Sequence, residues 1–262
     1  MYSRLLYRLS QAEQGKNTTV TYRMSTGDYA SMAQMPLSAA APERARSRMA
    51  ISRPGHHSAR MNREAHWNRI YETKPTTAVS WYQRSPDVSR ALILKHAPPP
   101  CRVIDVGGGA STLVDVLLDE GYTLPVVLDV SKSALERTRE RLASRAELVE
   151  WVVADVTSMP APEEVDLWHD RAVLHFLTDV GDQAAYAELA CRTIRKGGHA
   201  VIGTFAQDGP ERCSGLPVRR HDAASVLRLL GGAFELVEES REIHMTPTGA
   251  EQRFQWTVAR RC

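Results

Sequence analysis

Three aspartates, Asp105, Asp129 and Asp155, each close a short apolar run, in "RVIDV", "VVLDV" and "VVADV". An apolar run ending in an acid reads as a buried strand that delivers a carboxylate to one edge of a sheet. A carboxylate there accepts hydrogen bonds from hydroxyls or an amine, attracts a cation and repels a phosphate. Directly behind the first acid stand Gly107, Gly108 and Gly109, a turn whose backbone can approach a ligand closely. Gly107 and Gly109 fit the start of the dinucleotide fingerprint, but Thr112 occupies the place of its third glycine. A pyrophosphate seated on this turn would meet Asp105 with like charge. A positively charged ligand would meet it with opposite charge.

A second group lies in "DLWHDRAVLHF". Asp170 ends a fourth run beside His169, and His175 follows one turn later as a base titrating near neutral pH. Four aromatics ahead of the first strand, Trp67, Tyr71, Trp81 and Tyr82, offer ring faces for a lid that favours a cationic ligand. The long segment "AQDGPERCSGLPVRRHD" carries Arg212, Arg219, Arg220 and His221, which suit an acidic substrate, and Cys213 as a small neutral residue.

Alternating elements must position these groups. "NREAHWNRIYETK" sets Trp67, Ile70 and Tyr71 on one face of a helix. Ser85 and Pro86 open a second helix, as cap and first turn, and a triple proline stops it. Strands are expected at 102–106, 125–130, 148–156, 165–170 and 199–205, with helices at 111–120, 131–143 and 181–195, the last ending in "RKGG". A helix in "DAASVLRLLGG" then precedes two strands joined by a short loop with Pro247 and Gly249, which implies an antiparallel return. Such alternation predicts a doubly wound α/β fold: a mostly parallel seven-stranded sheet with a final antiparallel strand and helices on both faces.

Residues 1–60 differ from the rest. They hold nine Lys/Arg against three Asp/Glu and show no sustained apolar periodicity. A disordered basic extension is expected there, read as a tail, an upstream extension of a chain starting at Met61, or a targeting segment. The domain proper is expected over 61–262. That part is slightly acidic, which argues against nucleic acid. No run approaches a membrane span, and the four scattered cysteines suggest a reducing, cytoplasmic setting with no metal site.

Together these residues resemble the class I S-adenosylmethionine-dependent methyltransferases. "VIDVGGGAS" stands for the family's first motif, "VVLDVS" for its second-strand acid, "VVADV" for its adenine-side acid and "RKGGHAVIGTF" for the turn before its fifth strand. Ser111 departs from the pattern, since many members carry a further glycine there. The resemblance implies S-adenosyl-L-methionine as cofactor, with Asp105, Gly107, Gly108 and Gly109 near its methionine portion. It implies Asp129 with Val130 near the ribose, Asp155 with Val156 near the adenine, and Tyr71 and Trp81 closing over the ligand. "HDRAVLH" is similar, more weakly, to a stretch of the seven-strand protein-lysine methyltransferases, with His175 where they carry an acid. The expected activity is methyl transfer to a small molecule or a protein side chain, catalysed by Asp170 and His175. A nicotinamide-dependent oxidoreductase and a non-catalytic S-adenosylmethionine-binding protein are the competing readings. Neither the acceptor nor the oligomeric state is legible.

Overall fold

In the computed structural model, backbone is described for residues 54–262 and side chains from Arg63 onward. The expected extension therefore lies outside the described residues up to position 53. Helix α1 (Pro54–Thr73) starts upstream of Met61, with proline at its first position, where a missing N–H costs nothing. Helix α2 (Asp87–His96) follows, with Pro86 rather than Ser85 at its N-cap position and no side-chain cap. The Ser85 hydroxyl instead donates to the Asp87 carboxylate.

Alternation then runs as the sequence predicts: β1 (Val103–Val106), α3 (Leu113–Asp119), β2 (Val126–Asp129), α4 (Lys132–Leu142), β3 (Glu150–Val153), β4 (Val165–Arg171), α5 (Val180–Thr193) and β5 (Ile194–Phe205). Ser131 caps α4 by accepting from the Ala134 N–H. Two expectations shift: β3 ends at Val153, short of the expected 156, and leaves Asp155 in the turn beyond it. "RKGG" does not end α5 but belongs to β5, and Gly197 carries the positive φ in its path. The segment after β5 forms a small hairpin of β6 (Arg212–Cys213) and β7 (Leu216–Pro217). Helix α6 (Ala223–Leu230), capped by Asp222, leads into β8 (Phe234–Met245) and β9 (Glu251–Arg261).

The seven-stranded sheet has the order β3-β2-β1-β4-β5-β9-β8, with β9 antiparallel to both its neighbours and the others parallel. Chain order reverses between β1 and β4, so their carboxyl ends open a crevice at the switch point. Side chains alternate across each strand. Ile104, Val106 and Trp168 pack on the face covered by α5 and α6, with Tyr186, Leu189 and Val226. Val103 and Leu167 pack on the opposite face with Leu92, Ile93 and Leu113 of α2 and α3. That alternation decides where each polar residue of β1 and β4 goes. No helix among the described residues is long and apolar enough to cross a membrane.

Candidate functional site

Asp105 pairs in register with His169 across β1 and β4. Both follow the parity of Val103 and Leu167, so their side chains meet on the α2 side of the sheet. The Asp105 carboxylate lies 2.7 Å from His169 Nδ1, and His169 Nε2 lies 2.9 Å from the Ser89 hydroxyl. With the Nδ1–H donating to the acid, Nε2 accepts from Ser89, and the chain is fully satisfied. Asp105 is therefore a buried, tied acid.

The glycine turn is shaped by the acids around it. Gly107 and Gly108 both donate to the Leu128 carbonyl, pinning the turn to the end of β2. Gly107 and Gly109 adopt φ of +70° and +39°, which residues with a Cβ avoid. A Cβ at Gly108 would stand 2.5 Å from an Asp105 oxygen, and one at Gly109 would stand 2.6 Å from an Asp129 oxygen. Only bare backbone passes between these carboxylates.

Two adjoining cavities open here. The larger encloses about 910 Å³ of atom-free space, its mouth included, and is lined by Gly107, Asp129, Val130, Asp155 and Val156 together with Arg63, Trp67, Tyr71, Trp81, Arg171 and Phe176. The smaller, of about 570 Å³, holds Asp105, Gly107, Gly108, Ser111, Ser89 and His169. Tyr71, Trp81, Gly107 and Arg171 line both. Trp81 Nε1 donates to the Tyr71 hydroxyl at 3.2 Å, and the Trp67 ring meets those of Trp81 and Phe176 edge-on. Of the four expected lid aromatics, Trp67, Tyr71 and Trp81 reach the larger cavity and Tyr82 only the smaller.

Asp129 accepts from the Ser131 N–H at 2.7 Å. Burial pushes its carboxyl up to about 7, with the Asp105 charge adding to the effect and two backbone N–H groups opposing it. Asp155 accepts from the Thr157 N–H and hydroxyl, while its other oxygen meets Arg63 Nη1 at 3.3 Å. Arg63 also pairs with Asp182, so this side chain of α1 bridges the turn after β3 and α5.

Asp170 and His175 stand apart from both cavities. Asp170 follows the parity of Trp168 onto the α5 face and is fully buried. It accepts from the Val173 and Leu174 N–H groups and from the Tyr186 hydroxyl, and burial pushes it up to about 6. His175 is packed against Phe176 and Phe205, its Nδ1 accepting from the Phe205 N–H at 3.2 Å. Burial, then the charges of Arg171 and His221, push it down to about 3. Arg212, Arg219 and Arg220 are spent on Gly215, Gln183 and Glu211, whereas Cys213 and Leu216 of the same hairpin do line the larger cavity.

The sequence reading missed Arg63 and Arg171. Arg171 shares the parity of His169, the one signal that would have aimed it at the cleft.

A family model described as a methyltransferase domain matches residues 99–252. Over 123 residues the chain is 28% identical to nodulation protein S of Rhizobium tropici, an alignment covering 47% of this chain and 51% of that protein. It is 29% identical over 98 residues to the eEF1A lysine and N-terminal methyltransferase of Bos taurus, covering 37% of this chain and 14% of that protein. The chain thus spans about half of the first relative and a small part of the second. The fold also matches the N-methyltransferase NodS of Bradyrhizobium japonicum WM9, solved in complex with S-adenosyl-l-homocysteine, with a TM-score of 0.57 at 17% identity over 74% of this chain and 97% of that one.

Proposed function

This chain belongs to the methyltransferase-domain family, and from that premise we propose that it transfers the methyl group of S-adenosylmethionine to a small molecule or a protein side chain. The observation that carries this reading is that Asp129, at the end of β2, and Asp155, in the turn just past the adjacent β3, line one cleft with the Gly107 turn and an aromatic wall. A sugar diol and an amine suit those two acids, and bare glycine backbone leaves room between Asp105 and Asp129.

In this reading Asp129 with Val130 holds the ribose, and Asp155 with Val156 flanks the adenine, Arg63 keeping the Asp155 carboxylate in place. Asp105, tied by His169, sets negative potential beside Gly107, Gly108 and Gly109 for the methionine portion. When bound, the cofactor supplies an electrophilic methyl on a sulfonium. The chain's own part is alignment and exclusion of water. Tyr71 and Trp81 close the wall over the ligand, and Trp67 with Phe176 extends it. Asp170 serves as an anchor for the turn after β4, and His175 as a buried packing residue. The thiols, free among the described residues, fit a reducing compartment, and we place the protein in the cytoplasm.

The test is turnover: incubation with methyl-labelled S-adenosylmethionine and a cell extract should yield S-adenosylhomocysteine in step with labelled product. Affinity for S-adenosylhomocysteine without any turnover would favour a binding protein instead.

A further inference from the structure

The two edges of the sheet are built differently. β3 closes one side with four residues, whereas β8 closes the other with twelve. β8 pairs only with β9, so the N–H and C=O groups along its outer side meet no strand among the described residues. Eight large apolar side chains stand exposed among the described residues, and four of them, Leu236, Val237, Ile243 and Met245, belong to β8. Apolar groups gathered on a long open edge gain by pairing with another strand.

The charges of β8 divide by face. Glu238, Ser240 and Glu242 lie in register with Val258, Trp256 and Phe254, on the α2 side of the sheet. There Glu238 is held by Lys95 and His96, and Glu242 by Gln83 and Trp256. Glu239, Arg241, Ile243 and Met245 take the opposite face, and all four are exposed. Arg241 reaches Asp208 in an ion pair that is half in solvent. Glu239 meets no cation among the described residues.

These features complement a second copy of the same strand. A two-fold axis normal to the sheet sets β8 antiparallel to its copy and keeps each face continuous. Passing through Ser240, the axis places Glu239 of each protomer opposite Arg241 of the other. It also sets Ile243 against Val237, at the bulge that β8 makes between Leu236 and Glu238. Glu238 and Glu242 then face each other with their charges already met inside each protomer. An axis through Glu239 or through Arg241 would instead oppose two like charges.

We propose that the chain forms a symmetric dimer through β8, joining the two sheets into one, with Ser240 at the two-fold axis. The proposal does not depend on the methyl-transfer reading.

Sedimentation equilibrium of the full chain from about 1 to 100 µM should show a monomer–dimer equilibrium governed by mass action. Glu239→Arg and Arg241→Glu should each weaken association by about tenfold or more, because each opposes like charges across the axis. Mixed in equal amounts, the two variants should associate about as well as the natural chain does with itself, since both pairs regain opposite charge. Both residues are exposed, so each variant should melt like the natural chain. Amide hydrogen exchange needs no variant: outer amides of β8 should slow as the concentration of the natural chain rises, and if a variant misfolds this measurement decides. A chain that stays monomeric at the highest concentration, its edge bare or covered by another segment, overturns the proposal. So does a dimer whose β8 amides exchange at an unchanged rate, or well-folded variants that associate as the natural chain does or fail to recover on mixing.

Discussion

Asp129 is a carboxyl whose charge is set by where the chain buries it. Raised to about 7, it is largely protonated below neutrality in the ligand-free protein. A ribose diol needs the ionised form to accept twice. Affinity for S-adenosylhomocysteine should therefore fall as pH drops from 8 to 6, and Asp129→Asn should bind weakly with little dependence on pH. Asp129→Ala should lose about 1.5–3 kcal/mol of binding, the range for hydrogen bonds to a charged group. Calorimetry across pH checks both, and full affinity in the alanine variant would move the ribose elsewhere. The three acids and the glycines were legible in the sequence because strand-end acids and glycine turns are local patterns. The roles expected for Asp170 and His175 were not, because alternation along β4 and the short turn after it turn these side chains into the protein. Arg171 looks like any surface arginine until β9 supplies Phe254 beneath it.

At the scale of elements, the site depends on α1 and on the turn that follows β4. Arg63 ties α1 to Asp155 and Asp182, and its side chain is 23% exposed, so part of its charge interaction is screened. Arg63→Ala should weaken S-adenosylhomocysteine binding by about 1–2 kcal/mol through a loosened Asp155. An unchanged dissociation constant would show that Asp155 needs no such support. In the turn after β4, Ala172 adopts φ +76°, a left-handed conformation costing an alanine roughly 1–2 kcal/mol. Ala172→Gly should leave stability unchanged or raise it by about 1 kcal/mol, whereas Ala172→Val should lower it. Denaturant midpoints decide, and a clear loss in the glycine variant would mean the methyl packing outweighs the strain. The strands, α4 and the antiparallel return of β9 were readable from apolar runs, caps and a short loop. The placement of "RKGG" was not, because a Gly-Gly pair with preceding cations looks the same as a helix exit whether the chain is still helical or already extended.

Across the whole molecule, buried titratable groups make stability depend on pH in opposed directions. Asp129 and Asp170, raised to about 7 and about 6, keep their protons in the folded chain after the unfolded chain has lost them. Their contribution is present below about pH 4 and is lost as pH rises through those values. His175 and His221, pushed down to about 3 and about 4 chiefly by burial, do the reverse. The unfolded chain binds protons first, so stability falls as pH drops below about 6.5. Asp129→Asn keeps an acceptor for the Ser131 N–H and cannot ionise. Thermal melts should show it gaining on the natural protein steadily from pH 4 to 7, by an amount on the order of 2–4 kcal/mol at neutrality. A constant difference across that range would mean Asp129 titrates normally. The charge pattern of the cleft bears most directly on what the molecule binds. Acids at the ends of β1 and β2 and in the turn past β3 suit S-adenosylhomocysteine and disfavour a pyrophosphate. Parallel calorimetric titrations of the full chain at pH 8 with S-adenosylhomocysteine and with NAD should give saturable one-to-one binding of the first and none detectable of the second. Tight binding of NAD, with none of S-adenosylhomocysteine, would contradict it.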